Sequence, residues 1–166
     1  MIEFPKQLQD KLIKIEVYKE ADLVCNRFSK TKWSNIISDI SSDQELQNFT
    51  SSYDTFFFPY IIRKNNSNKD LAFLYLLREN TNVVSIHGGG WEYPLLYIRG
   101  YILMLNSLID LHLKVRTKCA LSNVSAIKLN KGIGFRPYKY TEDAVYMWIN
   151  CKTLKNSKIY KRFHTY

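Results

Sequence analysis

The run His87-Gly88-Gly89-Gly90-Trp91-Glu92 sets an imidazole and a carboxylate on either side of three glycines. Imidazole takes up and releases protons near neutrality. His87 is therefore the first candidate for a general base, and Glu92 the second. Glycine lets a backbone approach a ligand closely. Pro94 then opens a helix at its first turn, where the missing N–H costs nothing. Amides exposed at a strand-to-helix junction, facing the positive end of a helix dipole, suit a diphosphate. The same residues also fit a tight loop that simply needs glycine, with His87 capping the turn.

A second segment, Asn123 to Phe135, reads as a short helix that stops on glycine and feeds a strand. The Asn123 side chain can accept from an amide one turn on. Ala126 and Leu129 share a helix face. Gly132 or Gly134 can take the left-handed conformation that ends the helix, and Phe135 anchors the next strand in the core.

The order and spacing of this segment resemble the helix-to-strand segment of the GNAT N-acetyltransferases. That family typically carries Asn, then Ala, an apolar residue and Gly-Phe at the offsets occupied here by Asn123, Ala126, Leu129, Gly134 and Phe135. Two positions depart. Asn130 stands where the family often has a tyrosine proposed to protonate the departing thiolate, and Gly132 where it usually has lysine. The resemblance implies an α/β (α+β) domain built on a mixed, mostly antiparallel sheet of about 6–7 strands, with helices on both faces. It also implies acetyl-CoA as co-substrate and acetyl transfer to an amine by direct attack.

The resemblance assigns the cofactor arm to the backbone of Ser85, Ile86, His87, Gly88, Gly89 and Gly90, and to Asn123 and Ala126. The backbone around Ser85 to His87 would also supply the donor for the tetrahedral oxyanion. The family's phosphate loop finds its nearest match in Arg99-Gly100, where Ile102 and Met104 replace small residues. The interval from Arg99 to Val115 is short for a full helix after such a loop. Arg99 then falls inside the helix, and His87 to Tyr93 becomes the loop. Tyr138 or Tyr140 could stand in for the missing acid. The acceptor, a small-molecule or peptide amine, would enter between the first two helices and the final strands.

Two rival resemblances are weaker. His-Gly-Gly-Gly also resembles the oxyanion-hole motif of α/β-hydrolase esterases. The sequence has no Gly-x-Ser-x-Gly elbow, and the chain is short for that fold. A basic nucleic-acid-binding domain is suggested by the tail and the scattered tyrosines, without any recognisable reading motif. A catalytically degenerate GNAT-fold binding module is the other alternative.

With 166 residues, 46% apolar and 14% aromatic, the chain fits one domain with a sizeable core. It lacks an apolar run of membrane-spanning length and a basic-then-apolar leader, which makes the cytoplasm the expected location. Cys25, Cys119 and Cys151 are far apart without nearby histidines, which argues against a metal site or a disulfide framework. Cys119 has no base near it in sequence to make it a nucleophile. The net charge is +9, and Lys152, Lys155, Lys158, Lys161 and Arg162 follow the last acid, Asp143. They read as a solvated basic extension over 151–166, or as a surface for phosphate or nucleic acid. The oligomeric state is open, a dimer included.

The elements that position these residues follow from pattern. Strands are expected at 12–18, 55–63, 70–77, 82–86, 115–120, 136–140 and 143–150, with a polar hairpin loop at 64–69. Pro59 suits an edge or a bulge better than a central strand. Helices are expected after Asp22 and Ser34, from Pro94 to about Leu113, and after Asn123.

Overall fold

A computed structural model describes residues 2–18, 57–67, 69–90 and 93–164. The helices expected after Asp22 and Ser34 lie outside these residues, as do Trp91 and Glu92. One mixed sheet of eight strands carries the fold, in spatial order β1-β2-β3-β4-β5-β6-β8-β7. The strands are β1 (Gln7–Gln9), β2 (Ile13–Val17), β3 (Phe57–Lys64), β4 (Asp70–Arg78), β5 (Val83–Gly90), β6 (Lys114–Ala120), β7 (Arg136–Tyr140) and β8 (Ala144–Ile149). Four helices are described: α1 (Pro94–Asp110), α2 (Val124–Ile133), α3 (Cys151–Lys155) and α4 (Lys158–His164).

The first five strands form an antiparallel meander, because their connections are short hairpins except across 19–56. Only β5 and β6 run parallel, which requires the crossover that α1 supplies. In β4, Leu71 to Leu76 are all buried, as expected of a central strand covered on both faces. β6 alternates instead: Val115, Thr117 and Cys119 point into the core, while Lys114, Arg116 and Lys118 point to the other face.

α1 and α2 cover the core face. Gly100 of α1 touches Ile62 and Ile13, and Asn130 of α2 bonds Cys119. The Asn123 carboxamide accepts from the Ala126 N–H at 3.2 Å, capping α2 as its sequence implies. α2 ends at Gly134, whose φ of +121° and close approach to the Thr153 carbonyl leave no room for a Cβ. Phe135 is then fully buried.

Three expectations change. Pro59 lies inside β3, between β2 and β4, and is buried. Its carbonyl accepts from the Tyr18 N–H, so its imide nitrogen faces the same side, where β2 has just ended at Val17. No ladder donor toward β4 is lost. The sheet also gains β1, a strand too short for alternation to reveal. The basic extension is folded: Asn150 and Thr153 form a reciprocal cap on α3, Leu154 is buried, and the lysines stay exposed. No helix among the described residues is long and apolar enough to cross a membrane.

Candidate active site at the parting of β5 and β6

β5 and β6 pair only from Val83 opposite Lys114 to Ser85 opposite Arg116. Beyond that point β6 keeps only its pairing with β8, through Ala120, and β5 only its pairing with β4, through Gly90. A wedge opens between them. At its apex the Thr117 hydroxyl donates to the Ile86 carbonyl at 2.9 Å. The Lys114 N–H donates to the Asn82 carbonyl, so even-numbered residues of β5 present their main-chain groups toward β6. Past the apex, those of Gly88 and Gly90 therefore face the wedge.

The glycine triplet is thus strand, not the loop read from the sequence. Gly88, Gly89 and Gly90 pair with Leu74, Phe73 and Ala72. Their lack of side chains has a packing cause. A Cβ on Gly88 would lie 2.6 Å from both the Phe73 carbonyl oxygen and Leu74 Cδ2, and one on Gly90 would lie 3.1 Å from Tyr97. Tyr97 of α1 fills the space at Gly90 and lies close beside that at Gly88.

Around the apex lies a buried polar group that the sequence did not bring together: Tyr101, Thr117, Cys119 and Asn130. The Asn130 amide donates to Cys119 Sγ at 3.2 Å. Burial raises the Cys119 thiol above its ordinary range, against the lowering effect of hydrogen bonds with Asn130 and Thr117. It is therefore a poor nucleophile. Desolvation also raises the phenols of Tyr97 and Tyr101. Tyr97 keeps part of its surface in solvent, yet its hydroxyl end is desolvated and stays protonated. These four residues and Tyr97 come from α1, β6 and α2, and no single-sequence pattern joins them.

Among the sequence-read residues, His87 is at the wedge, on the sheet face opposite Tyr97. Its ring stacks on Tyr75 at 4.9 Å with an interplanar angle of 13°. Ile86 lies at the apex. Ser85 is buried in the β4–β5 hairpin, where its hydroxyl donates to Glu79. Its main chain faces β4 rather than the wedge. Asn123 and Ala126 stand where β6 hands over to α2, at the open end.

Three residues are elsewhere. Arg99 and Gly100 lie in the second turn of α1, where Arg99 pairs with Asp10 and Gly100 packs on Ile62. They form no phosphate loop. Tyr138 packs on the Arg116 guanidinium at 5.4 Å, at the end where β5 and β6 are still paired.

The start of α1 offers few amides to a phosphate. Pro94 has none, and those of Leu96 and Tyr97 donate to the Tyr93 carbonyl. Cations lie beside it instead: Lys64 and Lys69, from the β3–β4 hairpin, hold their ammonium groups 5.9 and 5.6 Å from the Tyr93 ring centroid.

No protein-family model and no curated protein sequence matches the chain. Solved structures do. A spermidine N-acetyltransferase from Vibrio cholerae, in complex with CoA and spermine, superposes with a TM-score of 0.71 at 12% identity, over 89% of this chain and 100% of that one. FdhC, a nucleotide-linked sugar GNAT, gives 0.71 at 14% identity, over 95% and 97%. A GCN5-related N-acetyltransferase from Brucella melitensis gives 0.69 at 11% identity, over 97% and 86%. Backbone course is retained where sequence identity is almost gone, and the chain has the GNAT fold.

Proposed function

We propose that this chain is an N-acyltransferase that moves an acetyl group from acetyl-CoA to an amine. The observation that carries this reading is the wedge itself. On a GNAT fold, two core strands part and leave the main chain of Gly88 and Gly90 facing the opening. A thioester arm is a flat chain with amide groups, and an exposed strand edge can pair with it. The residues fit such an arm better than they fit a diphosphate at the helix start, and Lys64 and Lys69 are the groups suited to hold the phosphates.

The chemistry assigned to the chain is then specific. The Gly88 N–H faces the space where an acyl carbonyl would be polarised. His87, on the opposite face, takes a proton from the incoming ammonium so that a neutral amine attacks. The Tyr97 phenol, protonated and beneath Gly88, is the donor for the departing sulfur. It regains a proton from the nitrogen of the tetrahedral adduct as that adduct collapses, so the products are the amide, the thiol and the one proton held by His87. Tyr97 takes over the role that the resemblance gave to the position of Asn130. Tyr138 has no part in this step. The acceptor class is an amine; polyamines and nucleotide-linked sugars are the classes that the neighbouring structures suggest.

The test is thiol release from acetyl-CoA with polyamine, amino-sugar nucleotide and peptide amine acceptors, for the wild type and for His87→Gln. The wild type should turn over with one class, and His87→Gln should lower kcat about 10²–10⁴-fold with CoA affinity kept. Full activity in His87→Gln removes it as the base. CoA binding without turnover on any amine favours the degenerate binding module.

A further inference from the structure

The face of β6, β8 and β7 that points away from α1 and α2 carries a regular pattern. Arg116 pairs with Trp148, which pairs with Arg136; Lys118 pairs with Tyr146, which pairs with Lys139. Cross-strand partners share a face. Each ring is therefore flanked by a cation on either side, and the two rungs lie one above the other. Lys118 and Lys139 sit 5.7 and 5.3 Å from the Tyr146 ring centroid. Trp148 is 37% exposed and Tyr138 46%. Beside the first rung these two rings line a groove of about 350 Å³, with Lys114 at its edge. Glu79 lies 3.3 Å from Arg116, at the end of the first rung.

We propose that this face binds single-stranded nucleic acid, and that it does so independently of the acyl-transfer site. Bases stack on exposed rings whatever their sequence, while flanking cations neutralise the phosphates between them. An open sheet whose strands present rings to splayed bases is a known solution for single strands. Two features favour a strand over other occupants. The cations alternate with rings rather than forming a separate patch, as an acidic protein surface would need. The pattern also continues one rung past the groove, so that rings are offered to successive bases rather than to one.

The experiment is fluorescence polarisation with a labelled single strand of about 12 nucleotides, a length within the range such surfaces cover. The proposal expects binding whose logarithmic salt slope falls by about 0.7 in Lys139→Gln. Trp148→Ala and Tyr146→Ala should each weaken it about 5- to 150-fold. Circular dichroism and the urea midpoint of each variant report the fold, and Trp148 is exposed enough to remove without touching the core. Excess CoA should not displace the strand. Four results would overturn the proposal: no binding at low salt, binding of free nucleotides only, displacement by CoA, or binding lost with the α4 lysines and untouched by the ring variants. A strand that binds while CoA does not would leave this proposal standing and remove the acyltransferase reading.

Discussion

The Thr117 hydroxyl reaches across 2.9 Å to the Ile86 carbonyl, one residue past the last ladder pair between β5 and β6. It holds the apex of the wedge, closing a main-chain group that would otherwise be buried without a partner. Thr117→Val keeps the shape and removes the donor. The expected cost is about 1–3 kcal/mol, the penalty of one orphaned buried acceptor. Urea denaturation measures it, and Thr117→Ser should recover most of the loss. A neutral Thr117→Val would mean that the apex is held by packing alone.

Gly88 and Gly90 should differ in tolerance. Alanine at Gly88 drives a methyl to 2.6 Å from the Phe73 carbonyl oxygen, which is backbone and cannot rotate away. A loss of about 1–3 kcal/mol is expected. Alanine at Gly90 meets only Tyr97, at 3.1 Å, and should cost less. Melting temperatures of the two variants check the order, and the reverse order would place the strand differently against α1.

The alkaline limb of stability should be set by buried acids. Cys119, Tyr97 and Tyr101 all hold their protons more tightly in the folded chain, chiefly because burial disfavours the anion. Their contribution is complete below the ordinary thiol value of 9.0 and is lost as pH rises from there. The unfolded chain then releases protons that the folded chain keeps. Stability measured from pH 8 to 11 should fall steadily above about pH 9. At pH 8 a thiol reagent should label exposed Cys151 at once and reach Cys119 only on unfolding. Peptide mapping that finds Cys119 labelled early would contradict the buried network.

If Lys64 and Lys69 hold the phosphates, Lys64→Gln with Lys69→Gln should weaken CoA binding about tenfold, since an exposed ion pair is worth up to roughly 1 kcal/mol. A pantetheine thioester without phosphates should bind the variant as it binds the wild type. Equal weakening for both ligands would show that the lysines act through the fold.

Much of the sheet was legible because its strands are written in alternation and in hairpin chemistry. The α2 segment was legible residue by residue: Asn123 caps, Gly134 stops the helix, and Phe135 anchors. The glycine triplet misled, because glycine serves a loop and a closely packed strand equally well. The pairing with β4 and the approach of Tyr97 from the next helix decide between them. Arg99 falls inside the helix, as its short interval to Val115 implies, but its pairing with Asp10, far away in sequence, could not be read. The apex group could not be read as a group: Tyr101, Thr117, Cys119 and Asn130 meet only when three elements pack.

A titration of CoA into the full chain, read by calorimetry and by melting temperature, probes the wedge as a cofactor site. Saturable binding is expected, with stabilisation of about 2.7 kcal/mol when free CoA is 100-fold above its Kd. Tyr97→Phe should keep the binding while lowering turnover with acetyl-CoA. No heat and no shift at millimolar CoA, in a chain that melts cooperatively, would contradict a cofactor arm between β5 and β6.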